Sequence, residues 1–191
     1  LAPLISVDTY HAETARRALD IGADIINDVS GLCSPEMIDL AASSRTDWIA
    51  MHSLSIPVDR KHVLPVGSDS YTEVERWLTQ RLELWDKAGL DLERIIFDPG
   101  VGFGKDSLQS LQLLKQVGHF RRHGLRILVG HSRKSFLHQL TGAELVEKDQ
   151  ATVGMSLQLC HQRVDILRVH NIPLHAAAYR GWSHLQSSAA S

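Results

Sequence analysis

Apolar residues in this chain fall into six short runs, each followed by a stretch where they recur every three or four positions. The runs are Leu4-Ile5-Ser6-Val7, Asp24-Ile25-Ile26-Asn27-Asp28-Val29, Trp48-Ile49-Ala50-Met51, Arg94-Ile95-Ile96-Phe97, Arg126-Ile127-Leu128-Val129 and Asp165-Ile166-Leu167-Arg168-Val169. Runs this short and this continuously apolar read as parallel strands covered by helices on both faces. Ala12, Ala15, Ala18 and Leu19 share a helix face, with Thr9 placed to cap it and Gly22 to stop it. Ser34 and Pro35 open a second helix through Met37, Ile38, Leu40 and Ala41. Val74, Trp77, Leu78, Leu82 and Trp85 form the clearest stripe, in a helix from Tyr71 to Ala88 that Gly89 ends. Leu108, Leu111, Leu114 and Val117 predict a helix that ends near Gly124. A helical stretch then runs from about Ser135 through Cys160, with a break expected near Thr141-Gly142. Pro173 begins the last helix, whose tail from Ser187 to Ser191 is expected to fray. Residues 53 to 69 carry two prolines, a glycine and mixed charges, and read as a long surface loop.

Every run ends in polar or glycine-rich residues: Asp8, Asn27, His52, Asp98, Ser132 to Lys134, and Arg168 with His170. A (β/α)8 TIM barrel collects all its strand ends on one face, whereas a doubly wound sheet uses one switch point. Six loaded strand ends favour the barrel. Residues 1–191 then form a single α/β domain with about six of the eight β/α units, and the other two are expected before Leu1.

Composition narrows the class. The chain has 191 residues, a formal net charge of −2 and 43% hydrophobic residues, which suits one globular domain with a sizeable core. So balanced a charge does not make a nucleic-acid surface. No apolar run approaches the roughly 18 residues of a membrane span, and no secretory signal precedes the first run. The two cysteines, Cys33 and Cys160, form no C-x-x-C pair and read as buried free thiols in the reducing cytoplasm, with a disulfide as the open alternative.

The stretch Phe97-Asp98-Pro99-Gly100-Val101-Gly102-Phe103-Gly104-Lys105 organises the chemistry. A carboxylate at a strand end beside alternating glycines suits a flat ligand edge with two N–H donors. The spacing fits neither a P-loop nor G-x-G-x-x-G, and a capped glycine turn is the plain alternative. Asn27 can donate and accept beside Asp98, while Asp8 and Asn27 read equally well as structural caps. Lys134 reads either as a ligand contact or as a solvated cation, and Met51 and Phe103 as ring walls or core. Arg168 and His170 offer a fixed cationic fork and a further donor, with no acidic neighbour in sequence. His119 and His123 stand four apart on one helix, but with no third ligand evident they read as an exposed face.

Together these segments resemble the dihydropteroate synthase family of folate biosynthesis. The carriers are Ser6 to Thr9, Ala23 to Val29, Met51-His52, Asp98 to Lys105, Gly130 to Ser135 and Arg168-Val169-His170, in the family's order. The resemblance implies condensation of hydroxymethyl-dihydropterin diphosphate with p-aminobenzoate, with release of diphosphate. It also implies a magnesium ion accompanying the diphosphate, a homodimer, and sulfonamides as inhibitors. It assigns Asp8, Asn27, Met51, Asp98, Gly102, Phe103, Ser132, Lys134, Ser135, Arg168 and His170 to the substrates, with Lys134, Arg168 and His170 closest to the chemistry. The metal ligand is expected in a loop before Leu1. Two departures stand out: Asn171 replaces the usual Asp, and Ser55-Ile56-Pro57 replaces Gly-x-Pro. Two other readings share the pterin anchors. One is a methyltetrahydrofolate-binding methyltransferase barrel, which has no diphosphate to hold. The other is a non-catalytic pterin-binding fragment.

Overall fold

A computed structural model describes residues 2–59, 61–139 and 144–187. Six strands alternate with helices: β1 (Ser6–Asp8), α1 (Ala12–Asp20), β2 (Ile25–Asp28), α2 (Pro35–Ser43), β3 (Asp47–Met51), α3 (Ser70–Lys87), β4 (Ile95–Asp98), α4 (Ser107–Gln116), β5 (Arg126–Val129), α5 (Leu145–His161), β6 (Ile166–Leu167) and α6 (Ile172–Ser187). All neighbours pair in parallel, in the order β1-β2-β3-β4-β5-β6. This curled sheet is part of a TIM barrel, as the pattern predicts.

Counting by twos along the strands separates two faces. Ile26, Trp48, Ala50, Ile95, Phe97, Ile127 and Val129 face outward and pack under the helices, where Trp85, Leu78, Leu113 and Phe120 join them. The opposite face holds Ile49, Ile96 and Leu128, flanked by Ile25 and Ile166. The registers put Asp8 beside Asn27 and Met51 beside Asp98 on this same inner face. The site residues therefore form the layer directly above the inner apolar one.

Several element ends differ from the pattern. Helix α1 takes His11 as its N-cap, with no side-chain cap, because Thr9 Oγ1 instead accepts the His11 N–H, at 3.1 Å. Helix α4 gives way at Val117 to a 3-10 segment, Val117–His123, which Gly124 closes at φ 77°. Ser135–Gln139 is likewise 3-10, not α, and the expected break at Thr141-Gly142 lies outside the described residues. The expected fraying likewise falls on residues beyond Ser187. Strand β6 shrinks to two paired residues at the sheet edge. Cys33 is exposed and Cys160 half-buried, so the expectation of two buried thiols fails; both are free. His123 is not on an open face, since its Nε2 meets Glu75 Oε1 at 2.5 Å, while His119 stands edge-on to Tyr71. No described helix is long and apolar enough to cross a membrane.

Candidate active site

At the C-terminal ends of the strands lies a cleft of about 160 Å3, bounded by Met51, Asp98, Phe103, Gly130, Ser132, Lys134, Arg168, Val169 and His170. The larger groove, about 430 Å3, lies between α5 and α6 and is lined mainly by apolar side chains such as Leu157, Leu167 and Trp182. The smaller cleft is the chemical one, because convergent polar groups meet there.

Asp98 forms its floor. It ends β4, is 5% exposed, and its Oδ1 accepts the Gly100 N–H at 2.8 Å. Burial pushes its carboxyl pKa up, against the pull of the Lys134, Lys105 and Arg168 cations. The following loop has a strict inside-outside order. Val101 is fully buried in the outer core, whereas Phe103 faces the cleft. Gly100 and Gly102 hold φ at 65° and 77°. A side chain at Gly100 would collide with the His52 carbonyl, and one at Gly102 would press on the Lys134 stem.

Lys105 locks that loop from behind. Its buried ammonium contacts His52 Nδ1 at 2.8 Å and the carbonyls of Gly100 and Phe103 at 3.0 Å each. Three donors thus meet three acceptors, which requires a neutral His52 protonated on Nε2. Burial, aided by the Lys105 charge, lowers the His52 pKa to about 2, and burial draws Lys105 down to about 7. His52 also stands edge-on to Trp77, with centroids 5.2 Å apart. In the sequence Lys105 stands only as the end of the glycine-rich stretch, and its role behind the loop is invisible there. Its one local signal is the capping box that follows at Asp106 and Gln109, which fixes where α4 starts.

The opposite wall is cationic. The Lys134 ammonium donates to the Val101 carbonyl and lies 4.4 Å from the centre of the Phe103 ring. Burial lowers its pKa to about 8 despite the attraction of Asp98. The Ser132 hydroxyl contacts His170 Nδ1 at 2.9 Å and accepts the His170 N–H at 3.3 Å. Arg168 does have an acidic neighbour: its Nη1 lies 3.8 Å from Asp8 Oδ2, across the mouth of the sheet. Asp8 also accepts from Asn27 Nδ2 at 2.9 Å. Asn27 keeps a buried Oδ1 with no partner, an acceptor open to a ligand donor.

Of the residues named from sequence, Met51, Asp98, Phe103, Ser132, Lys134, Arg168 and His170 border the cleft, and Gly102 lies against Lys134. Asp8 and Asn27 stand beside it on β1 and β2. Ser135 is exposed at the start of its 3-10 turn and does not border it. Sequence reading passed over Lys105 and also Asp149, a carboxylate on α5 that grips Arg133.

Residues 2–170 match the family described as pterin binding enzyme. The chain is 40% identical over 188 residues to the folate synthesis bifunctional protein of Chlamydia muridarum, covering 94% of this chain and 41% of that one. It spans less than two thirds of the length of such curated relatives. Among solved structures, dihydropteroate synthase from Anaplasma phagocytophilum with bound 6-hydroxymethylpterin-monophosphate superposes with a TM-score of 0.83 and 39% identity, over 95% of this chain and 69% of that one. The Xanthomonas albilineans dihydropteroate synthase in complex with 7,8-dihydropteroate gives 0.87 and 33%, over 97% and 68%. With a family match that runs nearly end to end and a polar cleft at the strand ends of a barrel sheet, this chain belongs to the pterin binding enzyme family.

Proposed function

We propose that this chain carries the catalytic face of a dihydropteroate synthase. The reaction joins hydroxymethyl-dihydropterin diphosphate to p-aminobenzoate and releases diphosphate. The observation that carries the reading is a buried carboxylate, Asp98, opposed within one cleft by Lys134, Arg168 and His170. One side suits the N–H edge of a pterin, and the other suits an anionic leaving group. Asn27 Oδ1 adds a buried acceptor, and Met51 and Phe103 supply apolar ring contacts. The relatives with a bound pterin monophosphate and with dihydropteroate support the same substrates.

In this reading the methylene C–O bond breaks, and its electron pair leaves with diphosphate. The aryl amine lone pair then forms the C–N bond, and the amine loses a proton to solvent. The protein contributes position and charge stabilisation, with no covalent nucleophile. Arg168, His170 and Lys134 meet the departing charge, while Asp98 holds the ring. Among the described residues no three His, Cys, Asp or Glu side chains group to hold a metal ion. A magnesium ion that travels with a diphosphate keeps most of its water and takes only one or two protein carboxylates, so it needs no such cluster; its ligand is expected in the loop before Leu1, and no step here runs through it. We carry the homodimer and the two further β/α units, closing the sheet between β6 and β1, as parts of the same proposal. A methyltetrahydrofolate-binding barrel would leave the cationic wall without a partner.

The test is a pair of ligands on the full-length protein. Arg168→Ala and His170→Ala should each weaken the diphosphate ester at least about tenfold more than free 6-hydroxymethylpterin, as expected for charge-assisted bonds made only to the anion. Titration calorimetry reads both affinities. Equal losses for the two ligands would sink the assignment of this wall to diphosphate.

A further inference from the structure

Asp149 lies on α5, outside the cleft, and is 6% exposed. Its two oxygens accept Arg133 Nε at 2.8 Å and Nη2 at 2.9 Å, a two-point fork. Oδ2 also accepts Asn171 Nδ2, at 3.1 Å. Arg133 belongs to the loop after β5 and Asn171 to the loop after β6, so one carboxylate holds both loops. The backbone of Arg133 is left-handed, at φ 57°, a conformation that side chains other than glycine rarely adopt. That single turn sends its neighbours Ser132 and Lys134 to the cleft while Arg133 itself points back to α5. Asn171 follows His170 directly, and its own Oδ1 accepts the Leu174 N–H, at 3.2 Å, where α6 begins. The two loops therefore touch at the front through Ser132 and His170, and are tied from behind through Asp149.

We propose that Asp149 is a positioning residue: it holds Arg133 in its left-handed turn and Asn171 in place, so that Ser132, Lys134, Arg168 and His170 present one diphosphate-binding wall. This rests on reading that wall as the diphosphate site. The carboxyl is held down to about 2, chiefly by the Arg133 fork, so the tie stays charged across the working pH range. The tie also gives a physical place to Asn171, whose side chain donates one bond to α5 and accepts another from α6.

The experiment uses the full-length protein, with two readouts. The first needs no ligand: the 15N shifts of the His170 imidazole report whether Ser132 still meets Nδ1. The second is affinity for hydroxymethyl-dihydropterin diphosphate against free 6-hydroxymethylpterin. Asp149→Asn should move the His170 signal and weaken the diphosphate ester at least about tenfold, with much less change for the free pterin. Adding Arg133→Gly to Asp149→Asn should recover most of that loss, because glycine takes the positive φ without a fork. Asn171→Ala, which cuts one strand of the tie and leaves the buried fork intact, should show the same preference in smaller measure even if Asp149→Asn folds poorly. A merely structural Asp149 would lower both affinities alike and gain nothing from Arg133→Gly; either result overturns the inference. Failure of the wild-type protein to bind either pterin would overturn the functional reading instead, and an unchanged His170 signal would still by itself refute the role of Asp149.

Discussion

Asp98 shows how a single residue serves the site and leaves the fold largely alone. Its carboxylate makes one hydrogen bond to the chain, at Gly100 N, and keeps its remaining oxygen for the cleft. Asp98→Ala in the full-length protein should cost pterin binding about 2–4 kcal/mol, because ring donors would be buried without a partner. Unfolding midpoints should move little, and calorimetry with a pterin ligand checks the first part; unchanged affinity would remove Asp98 from the site. Residues of this kind are legible in sequence because they end strands in a repeating pattern. Lys105 and Asp149 were not, because their meaning comes from distant partners. His52 lies fifty-three positions before Lys105, and the fork on Arg133 joins α5 to a loop sixteen positions earlier. The carboxylate beside Arg168 was out of reach for the same reason, since Asp8 lies near the other end of the chain.

At the scale of elements, the strands and main helices follow from alternation and period, and the errors gather at their ends. Thr9 failed as a cap because its hydroxyl bonds the amide of His11, the residue just before the helix, and reaches none of the helix's own N–H groups. Strand β6 shortened because an edge strand has only one neighbour to pair with. The loop between β4 and α4 is the element with the most testable behaviour. Three acceptors surround the Lys105 ammonium, yet burial draws its pKa to about 7, well below the usual lysine value near 10.4. The sign follows. Between about pH 7 and 10 the unfolded chain binds a proton that the folded chain does not, so stability rises with pH across that window. Below about pH 7 both states carry the proton and this contribution is flat. Lys134, lowered to about 8, acts in the same sense, so the comparison of wild type with Lys105→Met isolates Lys105. Chemical unfolding from pH 6 to 10 should give a smaller rise for the variant. Parallel curves would mean that Lys105 remains charged throughout. When the amine is neutral, His52 can turn its proton to Nδ1 and donate, so the loop keeps its shape through the titration.

Among the described residues the sheet is curled, and its first and last strands each have a single neighbour. Leu4 and Ile5 lead into β1 at 71% and 59% exposed, and α6 leaves Leu185 exposed as well as Ile172, which lines the apolar groove against α5. Unpaired parallel edges next to apolar surface favour association. Residues 1–191 produced alone should therefore be poorly stable or form larger species by light scattering, with negligible dihydropteroate formation. A monodisperse monomer with robust turnover would defeat both this expectation and the proposed need for two further β/α units. The contact of Asp8, the last residue of β1, with Arg168, just past the end of β6, carries a different implication. Both groups are well exposed, and such pairs are worth only about 0–1 kcal/mol. Asp8 is thus a weak carboxylate partner that stands beside the guanidinium at the mouth without fixing it. If Arg168 meets the diphosphate as proposed, the anion would exchange one negative partner for another, and Asp8 would keep its bond from the Asn27 amide.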